Sequence, residues 1–414
     1  MRSRINKLVT KIGYRFGIDS HYFVKNTIWL LVGQGMISFA AFVSTVVLAN
    51  NVEKNSLGDY RLVVSVYNTL TFFALSGATS ALIRSVAQGK EGTLLYAVGL
   101  KKKYGVLAFI VGLGVAVYFW YLKHNPMLGI CFLIMAACLP LIETYAMYVP
   151  YLQGKHEFKY SSIHTGIAKL FTAIVLVAIT YYHPTTIYLV AGFYMSQVFI
   201  TYLQYKHLVK QFPAKSNDVD QEMHPYARHV TVASFLGLLL SQADKIILYH
   251  FFGPIALAQY WIASSIPQEV GRVIGAAAQV IFPKLATNEY ARDKNSFIKK
   301  LKIFMWIMIL FSSGYALIAY PLFTVFFPKY VDQAAMSIVL MFAAAVVPNW
   351  FVWQYYMAKG NIKIVYLANI MEPVLQVCLY VSLIPFFGIW GLVIAALTRS
   401  VVMNLASFYI IRRV

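Results

Sequence analysis

The sequence predicts an all-α integral membrane protein of about twelve transmembrane helices in two six-helix bundles, with both termini cytoplasmic. Three observations predict it. Hydrophobic residues make up 60% of the 414 positions and charged residues only 12%, about half the charge a soluble domain carries. A soluble chain of this length would need a charged shell, and this one has too few charges to build it. The apolar residues also arrive in long blocks: "TIWLLVGQGMISFAAFVSTVVLA" (27–49) and "YGVLAFIVGLGVAVYFWYL" (104–122) hold no charge at all. Finally, the basic residues alternate with the order of the blocks.

About 20 mostly apolar residues cross the hydrocarbon core as a helix, and a helix satisfies its own backbone where lipid cannot. Twelve such blocks lie near 27–49, 60–83, 104–122, 126–151, 161–182, 185–205, 229–252, 255–282, 302–322, 333–357, 363–384 and 388–411. The short dividers at 123–125 and 183–184 make tight hairpins of their flanking blocks. Under this count, one set of loops takes the N-terminus, 84–103, 152–160, 206–228, 284–302, 359–363 and the C-terminus. These hold 27 of the 35 Lys and Arg, whereas the opposite set holds only Lys54, Arg61, Lys123 and Lys329. That bias places both termini in the cytoplasm. Because the basic residues follow loop parity and form no single patch, the net charge of +20 is read as orientation, and nucleic acid is not expected as a partner.

No cleavable signal peptide is expected, since the first apolar block is too long and no small-residue cleavage pattern follows it. Within residues 1–25, a basic amphipathic segment covers 1–18. Ile5, Leu8, Val9, Ile12 and Phe16 fall on one side, and Arg4, Lys7, Lys11 and Arg15 on another, facing anionic headgroups. Cys131, Cys138 and Cys378 sit inside spans without disulfide or metal spacing.

The loops exclude most enzymes. Outward loops are at most around ten residues long, too short to carry acid, base or cation-binding groups for sugar polymerisation. No glycine-rich phosphate loop, no paired Cys/His set and no nucleophile elbow appears. No cofactor is expected. In the longest inward loop, "KHLVKQFPAKSNDVDQEMHPYAR", the alternating Asp218, Asp220 and Glu222 read as a solvated linker. That linker, 207–228, separates bundles at 26–206 and 229–414. An offset of 200 pairs Leu48 with Leu248, Leu57 with Leu257, Tyr60 with Tyr260, Ser65 with Ser265 and Ala78 with Ala278, and sets Arg84 against Lys284. Identities this sparse weigh less than the matching order of spans. A second echo joins "YLQGKHEFKY" (151–160) to "YMAKGNIKIVY" (356–366). Repeats that both start inside are parallel, related by an axis along the membrane normal.

"LANNVEKNSLGDYRLVVSVYNTLTFFALSGATSALIRSVAQG" resembles the opening of the polysaccharide transporter branch of the MOP flippase superfamily. The resemblance rests on Leu-Gly-x-Tyr at the start of the second helix and on Gly, small residues and Arg at its end. "ADKIILYHFFGPIALAQYWIA" is similar to the family's seventh-to-eighth helix segment, with Leu-Ala-Gln-Tyr replacing Leu-Gly-x-Tyr. The resemblance implies a Wzx-type flippase built as two six-helix bundles in a V. Such proteins carry undecaprenyl-pyrophosphate-linked oligosaccharide, an O-antigen unit or similar surface polysaccharide precursor, across the bacterial inner membrane by alternating access. The implied partners are that glycan, membrane lipids, a polysaccharide polymerase and a chain-length regulator.

The spans contain Glu143, Lys169, Asp244, Lys245, Glu269, Arg272, Glu372 and Arg399. A charge at mid-bilayer costs about 2.5–3.5 kcal/mol on insertion scales, so it faces a cavity or a partner. A pyrophosphate leaving water needs cations in place of water contacts, and Arg offers a bidentate fork. Lys169, Lys245, Arg272 and Arg399 are the candidates, with Arg61 at an outer mouth. Asp244 and Lys245, in "SQADKIILYHFFGP", project about 100° apart on a helix and are not expected to pair with each other. Glu269 and Arg272 can pair along one helix. Asp244, Glu269, Glu372 and Glu143 are candidate coupling or structural acids, and His164 and His250 secondary titrating candidates. Tyr145, Tyr148, Tyr151, Trp350, Trp353, Tyr355 and Tyr356 could offer faces to sugars or form packing and interface belts. Pro140, Pro267, Pro348 and Pro373 are expected to kink or break their helices.

Three other functions compete. A multidrug-type exporter of the same superfamily would favour an acidic lumen, a polymerase or glycosyltransferase would need a large outer loop, and a scaffold would not need charges at mid-span depth.

Overall fold

The computed structural model describes residues 20–286, 294–345 and 362–413, and they are helical apart from connecting turns. The amphipathic segment 1–18, Pro348 and the aromatics Trp350, Trp353, Tyr355 and Tyr356 lie outside the described residues. The helices are α1 (Ser20–Asn51), α2 (Lys54–Leu70), α3 (Ala78–Ala87), α4 (Thr93–Val117), α5 (Pro126–Tyr145), α6 (Tyr148–Gly154), α7 (Phe158–Tyr182) and α8 (Thr186–Gln211). After the linker come α9 (Met223–Ala233), α10 (Phe235–Leu240), α11 (Ala243–Ala286), α12 (Lys294–Phe326), α13 (Ala334–Ala345) and α14 (Ile362–Arg413).

Eight helices among the described residues are long and apolar enough to cross a membrane. Two of them, 235–272 and 371–410, each hold a pair of expected spans. Glycines at positive φ bend the chain between the members of each pair, Gly253 at 77° and Gly388 at 55°, a conformation that L side chains rarely adopt. The tenth expected block runs into undescribed residues. The second expected block, 60–83, is not one helix: it breaks into α2 and α3 across turns at 71–77. A break at that depth frees backbone groups, and one is met by Thr231, whose hydroxyl accepts from Gly77 N at 2.9 Å. Pro140 does not end α5, which runs on to Tyr145. Large apolar side chains such as Leu310, Leu317 and Phe386 are exposed, as expected where acyl chains take the place of water.

α1 packs on α7, α4 on α5, and α8 on both α5 and α7, while α13 packs on α11, α12 and α14. The two groups meet chiefly where α2 lies along α11. There Gly58 touches the backbone of Pro254 with no room for a Cβ. Next to it, Tyr249 donates to buried Asp59 at 2.6 Å. The same end is tied by Asn50 Nδ2 to Phe326 O at 2.9 Å and by Lys54 5.0 Å from the Tyr330 ring centre. Leu57 and Leu257, paired by the 200-residue offset, are both fully buried in this core.

Asp218 and Glu222 of the linker are exposed, as read, but Asp220 is not, which corrects the expectation for that residue. Its carboxylate is buried and accepts from Ser85 at 2.7 Å and Lys90 at 2.8 Å, while its backbone N–H donates to Thr93 at 2.9 Å. Glu91 accepts from Lys155 at 2.7 Å and from Lys215 N at 2.6 Å. The α3–α4 turn was itself fixed in space, so it could offer these groups to the linker, and composition cannot reveal that. The bond from Lys90 holds the Asp220 carboxyl below the usual carboxylate range. The tie is therefore complete at neutral pH and is lost as pH falls through that depressed value. Asp220→Ala should speed tryptic cleavage at Lys210 and Lys215 roughly tenfold at neutral pH, since a hydrogen bond to a charged group contributes about 1.5–3 kcal/mol. Unchanged cleavage would show that the linker is held elsewhere.

Candidate functional site

A cavity of about 440 Å³ opens between the two groups of helices, in the range of small-molecule sites. Ile37, Ser38, Ser44 and Thr45 of α1, Tyr60 and Arg61 of α2, Lys169 and Thr172 of α7 and Phe193 of α8 line one side. Trp261, Ser265, Gln268, Glu269 and Arg272 of α11 and Leu322 of α12 line the other. Helical repetition explains the walls. Ile37, Ala41, Ser44 and Leu48 recur on one face of α1, and Lys169, Thr172, Ala173 and Leu176 do the same on α7.

Three of the five cations chosen from the sequence converge here. Arg61 was expected at an outer mouth. It lines the cavity wall itself, with its guanidinium carbon 3.7 Å from the centre of the Trp261 ring. Stacking on an aromatic face suits the planar, weakly hydrated guanidinium. Lys169 is exposed to the cavity, and its ammonium reaches Gln197 Oε1 at 3.4 Å. Arg272 Nη1 donates to Glu269 Oε1 at 2.5 Å, the i,i+3 pairing that the sequence allowed. Glu269 Oε2 also accepts from Ser38 of α1 at 2.7 Å. None of the six ion pairs among the described residues involves Arg61 or Lys169. Among the described residues, three cations and one carboxylate thus face the cavity, a formal excess of two positive charges.

The other two cations stand elsewhere. Lys245 is not part of the cavity wall. Asp244 and Lys245 do pair, contrary to expectation, with Lys245 Nζ 3.1 Å from Asp244 Oδ1. The Cβ atoms diverge, but four flexible methylenes bring the ammonium back. Asp244 also accepts from the Tyr260 hydroxyl at 3.1 Å. Arg399 pairs with Glu372 at 3.1 Å and donates to Gln376 at 3.3 Å, and Gln376 in turn holds the Tyr380 hydroxyl at 2.8 Å. These contacts form a second polar cluster on α11 and α14, and Gln376 Nε2 also ties it to the Leu240 carbonyl of α10 at 3.2 Å.

Glu143 has a partner that sequence reasoning placed in a loop. Lys101 lies within α4, its side chain 1% exposed, with Nζ 2.9 Å from Glu143 Oε2. The Tyr67 hydroxyl donates to the other oxygen at 3.3 Å. The run Lys101-Lys102-Lys103 looks like a loop, yet a signal was there. Leu94, Ala97, Lys101, Gly105, Ala108 and Gly112 follow a helical period of buried positions, three of the last four filled by Gly or Ala, and Lys101 alone of the three lysines falls on it.

Among the described residues, the aromatics that face the cavity are Phe42, Tyr60, Phe193 and Trp261, not those expected from the fourth helix. Tyr148 donates to Gln204 at 2.6 Å and Tyr151 to Phe212 O at 2.9 Å, both buried in packing. Tyr145 packs on Tyr202 and Tyr205. His164 is engaged with the Tyr160 carbonyl at 2.9 Å, and His250 is exposed against Phe251. Cys131 and Cys138 are buried free thiols and Cys378 is an exposed one.

A multi-pass helical membrane protein with a charged cavity between two helix groups has the build of a transporter, and the fold is that of MOP superfamily transporters. Lipid II flippase MurJ in an inward closed conformation superimposes with a TM-score of 0.73 at 13% identity, covering 94% of this chain and 87% of that one. An inward-facing multidrug resistance MATE family transporter gives 0.71 at 15% identity, covering 93% and 98%. The chain belongs to the polysaccharide biosynthesis protein family, whose pattern matches residues 23–289. It is 20% identical over 304 residues to a Shigella flexneri protein named "Putative O-antigen transporter", covering 69% of this chain and 72% of that protein. These relatives are transporters and flippases, not enzymes.

Proposed function

We propose that this protein flips an undecaprenyl-pyrophosphate-linked oligosaccharide, an O-antigen unit or a similar surface polysaccharide precursor, across the bacterial inner membrane by alternating access. The observation that carries this reading is the convergence of Arg61, Lys169 and Arg272 on one cavity with a single acid among the described residues. A pyrophosphate diester brings about two negative charges, which the two surplus positive charges balance. Trp261, Tyr60 and Phe193 add flat apolar faces suited to sugar rings. A net positive cavity repels cationic drugs, which weighs against the multidrug reading. Two bundles, at 26–206 and 229–414, would rock about the linker, with the linker and both termini in the cytoplasm where the positive excess belongs. The end closed by Gly58, Asp59 and Tyr249 would then face outward. A polymerase and a chain-length regulator would receive the product.

Arg61→Ala should cut surface polysaccharide about tenfold or more at normal membrane abundance, the loss expected from one charge-assisted contact of about 1.5–3 kcal/mol. Arg61→Lys should fall between, keeping the charge but losing the planar stack on Trp261. Wild-type export from the alanine variant would sink the reading.

A further inference from the structure

We propose that Glu269 is a built-in counter-anion, which occupies the substrate's place on Arg272 until the anionic headgroup displaces it. This inference rests on the flippase reading above. The cavity presents its cations unequally. Among the described residues Arg61 and Lys169 have no carboxylate partner, whereas Arg272 is engaged by Glu269 Oε1 at 2.5 Å. The same carboxylate holds Ser38 of α1 through Oε2 at 2.7 Å, and Ser38 accepts from Gln34 at 3.3 Å. Glu269 therefore uses one oxygen within α11 and the other across to α1, 231 positions away.

The Arg272 side chain is 47% exposed and that of Glu269 20%, so an incoming oxyanion can reach the guanidinium. A phosphate oxygen makes the same charge-assisted bond as a carboxylate oxygen, and Arg61 and Lys169 hold that phosphate beside Arg272. The headgroup and Glu269 then compete for one guanidinium. Once Glu269 leaves Arg272, the geometry that also aims its second oxygen at Ser38 is lost. Substrate entry thereby releases a hydrogen bond between the two helix groups at cavity depth. A neutral or cationic solute cannot displace Glu269, so the same residue selects for anions.

Binding of undecaprenyl pyrophosphate to the purified full-length protein, with undecaprenyl phosphate as the probe of lower charge, tests this. Glu269→Gln should tighten undecaprenyl pyrophosphate binding about tenfold, with a smaller gain for the monophosphate. A strut that merely holds the fold cannot tighten binding when removed. Carbodiimide labelling of the Glu269 carboxyl in the unaltered protein, read by peptide mass spectrometry, needs no variant. It should rise when undecaprenyl pyrophosphate is added. Equal or weaker binding by Glu269→Gln, or labelling that stays level or falls, would overturn the inference. If Arg61→Ala still weakens binding in that case, the flippase reading survives. If the unaltered protein and Arg61→Ala bind the pyrophosphate lipid equally, or neither binds it, both readings fall together.

Discussion

Lys101→Ala should strip the protein from the membrane without touching the cavity. Lys101 is 1% exposed and lies 2.9 Å from Glu143. Removing the ammonium leaves Glu143 with the Tyr67 hydroxyl alone among its described partners. Stranding one partner of a buried ion pair costs about 3–5 kcal/mol, against a total stability of about 5–15 kcal/mol for a typical domain. Membrane abundance and the thermal midpoint should both drop sharply. Lys102→Ala is the matched control, because Lys102 is exposed one position away and should change neither. Combining Lys101→Met with Glu143→Leu replaces the pair by apolar groups of similar volume and should restore most of the abundance, since such replacements are often neutral or stabilising. A single Lys101 variant with an unchanged midpoint would mean that the pair contributes nothing to stability.

Gly58→Ala should open the end of the molecule where α2 crosses α11. A Cβ at Gly58 would overlap the carbonyl of Pro254. Backbone cannot swing aside as a side chain does, so the helices must separate. Overpacking typically costs about 1–3 kcal/mol, and a backbone collision belongs at the upper end. The shift would also stretch the Tyr249–Asp59 bond, now 2.6 Å, and loosen the core around Leu57 and Leu257. A single cysteine placed at Ser44, in a background lacking Cys131, Cys138 and Cys378, should label faster with a membrane-impermeant thiol reagent once Gly58 is replaced. Gly35 has open space around it, so Gly35→Ala should leave labelling unchanged. Equal labelling in the Gly58 variant would show that this contact does not hold the end closed.

The sequence by itself determined what is local. Block length and low charge identified a multi-pass helical membrane protein, because hydrocarbon admits little else. The pairing of Glu269 with Arg272 was legible because i,i+3 side chains share a helix face whatever the helix packs against. The same local reasoning failed for Asp244 and Lys245, where the angle between Cβ vectors mattered less than the length of a lysine. Only the tertiary structure decided which charges meet across helices. Asp220 found Ser85 135 positions away, Glu269 found Ser38, and Arg61 came to rest on Trp261. Such meetings depend on how each helix is rotated and shifted against its neighbours. Packing over the whole chain sets that rotation and shift, and a one-dimensional pattern of polar and apolar residues leaves both open.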